Sequence, residues 1–356
     1  MDMRLRSHLE RLGLTAVVVL VLTAASPADP PRLAATGIAS HQTACRLASA
    51  DSAWAAKALA GWQRQSAASL HAPPTRFPIL VLFDSLCSHT LAPALRGEAN
   101  VALIGAGQPF VLRSGEHGGS VRLPDGDSTP ARLVSFASRL KNGDMFLVMS
   151  LPSIWRSSGR GEVLANAVFM HEFTHTQSPA LGSRVDGLIR RGLPESVDDD
   201  IIQKRFDSLP AFRREYEVER DLLFQSARAP TRALAATTAR RALAAMDRRR
   251  ARFFRGRDAL YADAEDVFLS MEGTGQWSAY LWLIDPAGGA MPAEEASTFI
   301  RRGGRRWSQD EGLALLLVLS RLAPESPREL FGPSAATVLP LLRAALKRDE
   351  LSNRAN

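Results

Sequence analysis

The spacing of apolar positions divides the chain into a strand-bearing first part and a helical second part. Residues 41–70 are rich in Ala, place Trp54 and Trp62 at apolar positions and predict a helix that Pro73 and Pro74 stop. Residues 78–83 form a nearly continuous apolar run, the pattern of a buried strand. Gly, Pro and Ser then become frequent, and strands are predicted at 101–104, 110–113, 120–123, 131–136 and 145–150. From about residue 160 the pattern is helical almost to the end. A loop is predicted at 178–200, where Pro179, Gly182, Gly187, Gly192 and Pro194 precede the acidic residues Asp198, Asp199 and Asp200. Those acids suit a solvated loop or the start of a helix. Runs of strand followed by runs of helix predict an α+β fold with two lobes. The first lobe, 29–178, holds a small mixed sheet, and the second, 179–356, is predominantly helical. There is no repeat of fixed period.

The N-terminus reads differently. Arg4, Arg6 and Arg11 precede the apolar run 12–25, which is followed by Ser26, Pro27 and Ala28. A basic start, a short apolar stretch and small residues predict a secretory signal over 1–28 and a periplasmic or extracellular protein. The run is shorter than the roughly 18–20 residues that span a bilayer. If uncleaved, it acts as a membrane anchor; the mature chain carries no other candidate span. Export bears on Cys45 and Cys87, the two cysteines present. An oxidising compartment lets them pair, joining the N-terminal helix to the first strand, or they remain two free thiols.

Composition narrows the class. The 356 residues are 46% hydrophobic, too apolar for a disordered chain. The net charge of +7 is modest for this length and does not by itself indicate a nucleic-acid partner. The densest basic cluster, Arg248, Arg249, Arg250, Arg252, Arg255 and Arg257, is expected to pair with acids on neighbouring helices.

One segment carries chemistry. His171-Glu172-Phe173-Thr174-His175 is an H-E-x-x-H pattern inside an apolar stretch with no charged residue between Glu162 and Glu172. Residues four apart share a helix face, so both imidazoles reach one metal ion, while Glu172 reaches a water beside it. Leu164, Val168, His171 and His175 form one stripe, as expected of a buried helix. Three buried polar groups without partners cost several kcal/mol, which favours a metal over two core histidines.

This segment resembles the active-site helix of zincin metallopeptidases. No His follows His175, so the third-His branch does not fit and the third protein ligand is a carboxylate or an upstream His; the resemblance favours a gluzincin, whose third zinc ligand is a Glu on a later helix. Two glutamates are candidates. Glu272, followed by Gly273 and Gly275, resembles the glutamate–glycine helix of that branch, with glycines that let two helices approach closely. Its distance along the chain from His175 is longer than in those families, which a helical insertion at 205–257 would accommodate. Glu219 is the alternative. It shares a face with Phe212, Tyr216 and Leu223, or is salt-bridged to one of the arginines at 248–257. Glu215 and Glu217 are weaker candidates. Tyr280 and Arg306 are options for stabilising an oxyanion.

The resemblance implies a zincin-like α+β fold, Zn2+ as cofactor, a peptide or protein substrate, and Glu172 as the base that activates water for peptide hydrolysis. It also implies that strand 145–150 lies at a sheet edge and pairs with substrate. The alternatives are a non-catalytic binding protein on the same scaffold, or an exported helical protein with a coincidental motif.

Overall fold

A computed structural model describes residues 45–70, 76–94, 101–105, 108–194, 196–334 and 336–355 of the protein. The signal expected at 1–28 lies outside these residues. Helix α1 (Ser49–Gln65) ends in a π-helical turn at Ser66–Leu70. Trp54, Ala58 and Trp62, at spacings of four, form its buried stripe with Ala55 and Leu59.

Eight strands follow: β1 (Ile79–Phe83), β2 (Cys87–Pro93), β3 (Val101–Gly105), β4 (Gln108–Glu116), β5 (Ser120–Arg122), β6 (Ser128–Pro130), β7 (Ser135–Arg139) and β8 (Met145–Ser150). Six of them form a mixed sheet in the order β3-β4-β2-β1-β8-β7, and β5 and β6 make a separate hairpin. Only β1 and β8 run parallel within the six. Alternation along the strands gives each face its own core. Leu80, Leu82, Leu91, Phe110, Leu147 and Met149 face the helices. Val81, Phe83, Phe146 and Val148 pack with Val121 of the hairpin and Val134.

Four features differ from the sequence pattern, the short strand β6 being one of them. Strand β2 is unanticipated, because its inward positions include the polar His89 between Cys87 and Leu91. The strand expected at 131–136 lies at 135–139. The segment 178–200 is not all loop. It contains α4, named below, in which Leu181, Val185 and Leu188 at helical spacing outweigh two glycines by packing against Val267, Phe268 and Met271.

The helical part comprises α2 (Pro152–Ser157), α3 (Gly161–Thr176), α4 (Pro179–Arg190), α5 (Ile201–Phe206), α6 (Pro210–Ala227), α7 (Arg232–Phe253), α8 (Tyr261–Ile284), α9 (Ala293–Arg301), α10 (Trp307–Leu322) and α11 (Val338–Ala355). Helix α8 is central and packs against both α3 and α10. The largest apolar cluster runs from Trp54 through α3 and α8 to Leu346. None of the described helices is long and apolar enough to cross a membrane.

Cys45 and Cys87 are joined as a disulfide. It ties the residues before α1 to the start of β2, the second strand rather than the first. Three arginines of the basic cluster, all on α7, pair with acids of neighbouring helices. Arg249, fully buried, binds Glu219 and Glu265, Arg250 binds Glu265, and Arg252 binds Glu215.

Candidate metal centre

Helix α3 carries the H-E-x-x-H residues on its buried middle. It is enclosed from Ala167 to Thr176, so His171, Glu172 and His175 are 2%, 0% and 5% exposed. The two imidazoles face each other with Nε2 atoms 3.0 Å apart. Glu272 of α8 closes the triangle. Its Oε2 lies 3.3 Å from Nε2 of His171, and its Oε1 lies 3.5 Å from Nε2 of His175. A tetrahedral zinc with ligand bonds near 2.0–2.1 Å separates its donor atoms by about 3.3 Å. Donor atoms of His171, Glu172 and His175 also lie within 4.8 Å of one another, and these residues form a buried group that could hold a metal ion. Glu172 is thus adjacent to the triangle, while Glu272 makes the closer approach to both Nε2 atoms.

Two glycine contacts create this approach. A Cβ on Gly275 would fall 2.7 Å from Nδ1 of His171, so only glycine lets α8 lie against the imidazole. Gly273 has another neighbour. Its Cβ would lie 2.7 Å from the carbonyl oxygen of Gly312, and a Cβ on Gly312 would lie 2.5 Å from that of Leu269. The glycine pair therefore serves the crossing of α8 and α10, not the approach to the His helix. That crossing brings Gln309 of α10 to Glu272: its Nε2 donates to Oε2 at 3.0 Å, and Nε2 of Gln276 donates to Oε1 of Gln309 at 2.7 Å. Glu272 is thereby oriented by a buried amide chain.

Burial sets the electrostatics. It lowers His171 to about 3, helped by the positive charge of Arg302, and lowers His175 to about 4. Both imidazoles are neutral at pH 7 and keep lone pairs for a metal. Burial raises Glu172 well above the usual carboxylate range, and the charges of Glu272 and Asp199 add to the rise. The Ala137 backbone opposes it, yet neither oxygen of Glu172 gains a hydrogen bond. Burial also raises Glu272, against the pull of His175 and the Gln309 amide. Nδ1 of His171, both oxygens of Glu172 and Oε1 of Glu272 are buried without hydrogen-bond partners. Neutral nitrogens facing an acid across about 3 Å, with such orphaned atoms around them, fit the donor set of a divalent metal.

Glu219 lies elsewhere. It is fully buried on α6, where Nε of Arg249 donates to its Oε1 at 2.7 Å. Glu217 is exposed, and Glu215 binds Arg252. Tyr280 is half-buried against the main apolar cluster. Arg306 binds Asp200. Asp199 is buried beside Glu272, while the three acids precede α5. Gln309 and Asp199 were not anticipated from sequence. For Gln309 the available signal was the polar run Gln309, Asp310 and Glu311 opening an otherwise apolar helix, all three of which are buried.

Strand β8 is not at an edge. It pairs with β1 on one side and β7 on the other, so its backbone is fully engaged and cannot receive another strand. The edge belongs to β7. Leu140 N–H donates to Asp144 and Ser150 N–H donates to Val134, which assigns the even residues of β7 to the pairing with β8. Antiparallel alternation then directs the backbone groups of Ser135, Ala137 and Arg139 away from β8. A cavity of 20 Å³, room for about one water, touches His175 between Arg139, Met145, Ser178, Pro179, Gly182 and Met271. A larger groove of 1210 Å³ on the outer sheet face shares Met145 and Pro179 with it but reaches α3 only at Thr176 and Gln177.

Compared with family models, curated proteins and solved structures, the chain matches none of them. The site is therefore read from its own residues.

Proposed function

We propose that this protein is an exported, zinc-dependent hydrolase of peptide bonds, with a zincin-like site in which His171, His175 and Glu272 hold the metal and Glu172 is the base. One observation carries the reading: two neutral imidazoles and the carboxylate of Glu272 converge with donor atoms 3.0–3.5 Å apart, beside a Glu172 carboxyl that has no partner. Zinc held there supplies Lewis-acid polarisation of a carbonyl oxygen and of an attacking water. Glu172, whose carboxyl oxygens have no hydrogen-bond partner beside the triangle, would accept the proton of that water and return it to the leaving amine. The Cys45–Cys87 disulfide and the basic-then-apolar N-terminus support export.

The test loads purified protein with zinc and follows hydrolysis of a labelled unfolded protein, with Glu172→Gln beside it. The variant should retain zinc and lose hydrolysis by about a hundredfold or more. Full activity in Glu172→Gln, or no zinc uptake by folded wild-type protein, would sink the reading.

A further inference from the structure

The 1210 Å³ groove has an apolar floor and a basic lining. Leu80, Leu91, Phe110 and Leu112 turn to the helices, so alternation along β1, β2 and β4 sends Ile79, Thr90, Ala92 and Val111 into the groove. Leu123 and Pro124, just beyond β5, form a wall. Three guanidinium groups line it, those of Arg76, Arg113 and Arg122, against one acid, Asp144, which Arg76 binds. Glu116, Asp125 and Asp127 lie outside the lining. Arg113 and Arg122 are exposed, and among the described residues no carboxylate oxygen lies within 4.0 Å of either guanidinium. The groove also leads inward, sharing Met145 and Pro179 with the 20 Å³ cavity that touches His175. Ser178 lines that cavity; it is 7% exposed, and its hydroxyl is buried without a hydrogen-bond partner. Such a group is costly unless a partner arrives. Strand register sets the scale. Arg113 pairs with Thr90, Thr90 with Val81 and Val81 with Val148, three residues beyond Met145. At the usual strand spacing Arg113 is roughly 17 Å from Met145, a span of about five extended residues.

We propose that this groove binds an acidic, extended stretch of a protein substrate, with Arg113 and Arg122 pairing its carboxylates about five residues from the bond to be cut. The inference rests on the hydrolase reading above and names the class of substrate. A guanidinium presents a planar fork of donors that matches a carboxylate, and it stays charged at any working pH. Neither arginine gives up an internal ion pair to bind, so the attraction is not spent on breaking one. The apolar floor accommodates the stems of the acidic side chains, and the inner end of the chain meets the Ser178 hydroxyl beside His175. A net charge of +7 on the protein favours approach of the same kind of chain.

The experiment measures binding of a labelled peptide with a run of glutamates, beside its glutamine and lysine counterparts, to the full chain by fluorescence anisotropy. Wild type should bind the glutamate peptide about tenfold more tightly than the glutamine peptide, the gain that two exposed ion pairs supply. Arg113→Ala with Arg122→Ala should erase that preference, and Arg113→Glu with Arg122→Glu should transfer it to the lysine peptide. Arg248→Ala, on the exposed side of α7, should match wild type. Melting temperature and zinc content should be equal throughout. In zinc-loaded protein the double alanine variant should raise KM for the glutamate peptide about tenfold, with kcat within a few-fold and KM for the glutamine peptide unchanged. Equal binding of the glutamate and glutamine peptides by wild type overturns the proposal, as does a preference that survives the double alanine variant. An oligonucleotide that binds through the two arginines where the glutamate peptide does not also overturns it. Hydrolysis without charge preference fails the groove alone, and arginine-dependent binding by protein that hydrolyses nothing fails the hydrolase reading alone.

Discussion

Gly275 of α8 lies flat against the imidazole of His171: a Cβ at position 275 would sit 2.7 Å from Nδ1 and 2.8 Å from Cε1. Glycine within a helix costs about 1 kcal/mol relative to alanine. Here it lets the helix that carries Glu272 reach the helix that carries the histidines.

Gly275→Ala should therefore displace the His171 ring or push α8 away. The expected loss is about 1–3 kcal/mol in stability, with weaker zinc retention. Thermal melting and metal content of the purified variant check this. Wild-type values for both would mean that the contact does not control the site.

The third donor can be assigned by a pair of variants. Glu272→Ala should abolish zinc binding, because it removes the only carboxylate within 3.5 Å of both imidazole Nε2 atoms among the described residues. Glu219→Ala should keep zinc but lose about 3–5 kcal/mol of stability, since it leaves the buried Arg249 with half of its partners. The reverse pattern of zinc loss would reassign the ligand.

Acid should weaken the metal-free fold through the two histidines. His171 is held at about 3 in the fold against about 6.5 unfolded. The unfolded chain therefore binds more protons below about pH 6.5, and the stability contribution falls as pH drops through that window toward the folded value. His175, at about 4, acts in the same direction. The raised carboxyls of Glu172 and Glu272 act in the opposite direction. A comparison with His171→Asn isolates one imidazole. Between pH 7 and pH 5 the stability of wild type relative to this variant should fall by about 2 kcal/mol, measured by denaturant unfolding with chelator present. No change in that difference would show that His171 titrates normally.

The Cys45–Cys87 disulfide closes a sequence separation of 42 residues around α1 and β1. Cys87→Ser should lower stability by about 2–4 kcal/mol. Reduction of wild type should produce a loss of similar size, and the reductant should have no effect on the variant. Equal melting temperatures for oxidised and reduced wild type would show that the bond contributes nothing.

Local pattern made much of the protein legible. The periodicity of α1, the apolar runs of β1 and β8, and the uncharged stretch of α3 each reflect one element burying one face. The spacing of His171 and His175 places both imidazoles on one helix face wherever that helix packs. Patterns broke down where burial involved polar residues or another part of the chain. Strand β2 hides His89 inside, so its alternation does not read as apolar. Met145 to Ser150 look like a strand in either position, and only the pairing of β7 against β8 makes the latter interior.

The motif and the helical character of its surroundings were determined by sequence alone, because four-residue spacing is a local property of the backbone. Sequence left Glu272 and Glu219 open because both occupy inward faces of helices. Tertiary structure separates them through two packing events: Gly275 admits the His171 ring, while Arg249 draws Glu219 into an ion pair on the other side of the bundle. Such choices rest on which surfaces meet, and close contact between distant segments leaves no periodic trace in either one.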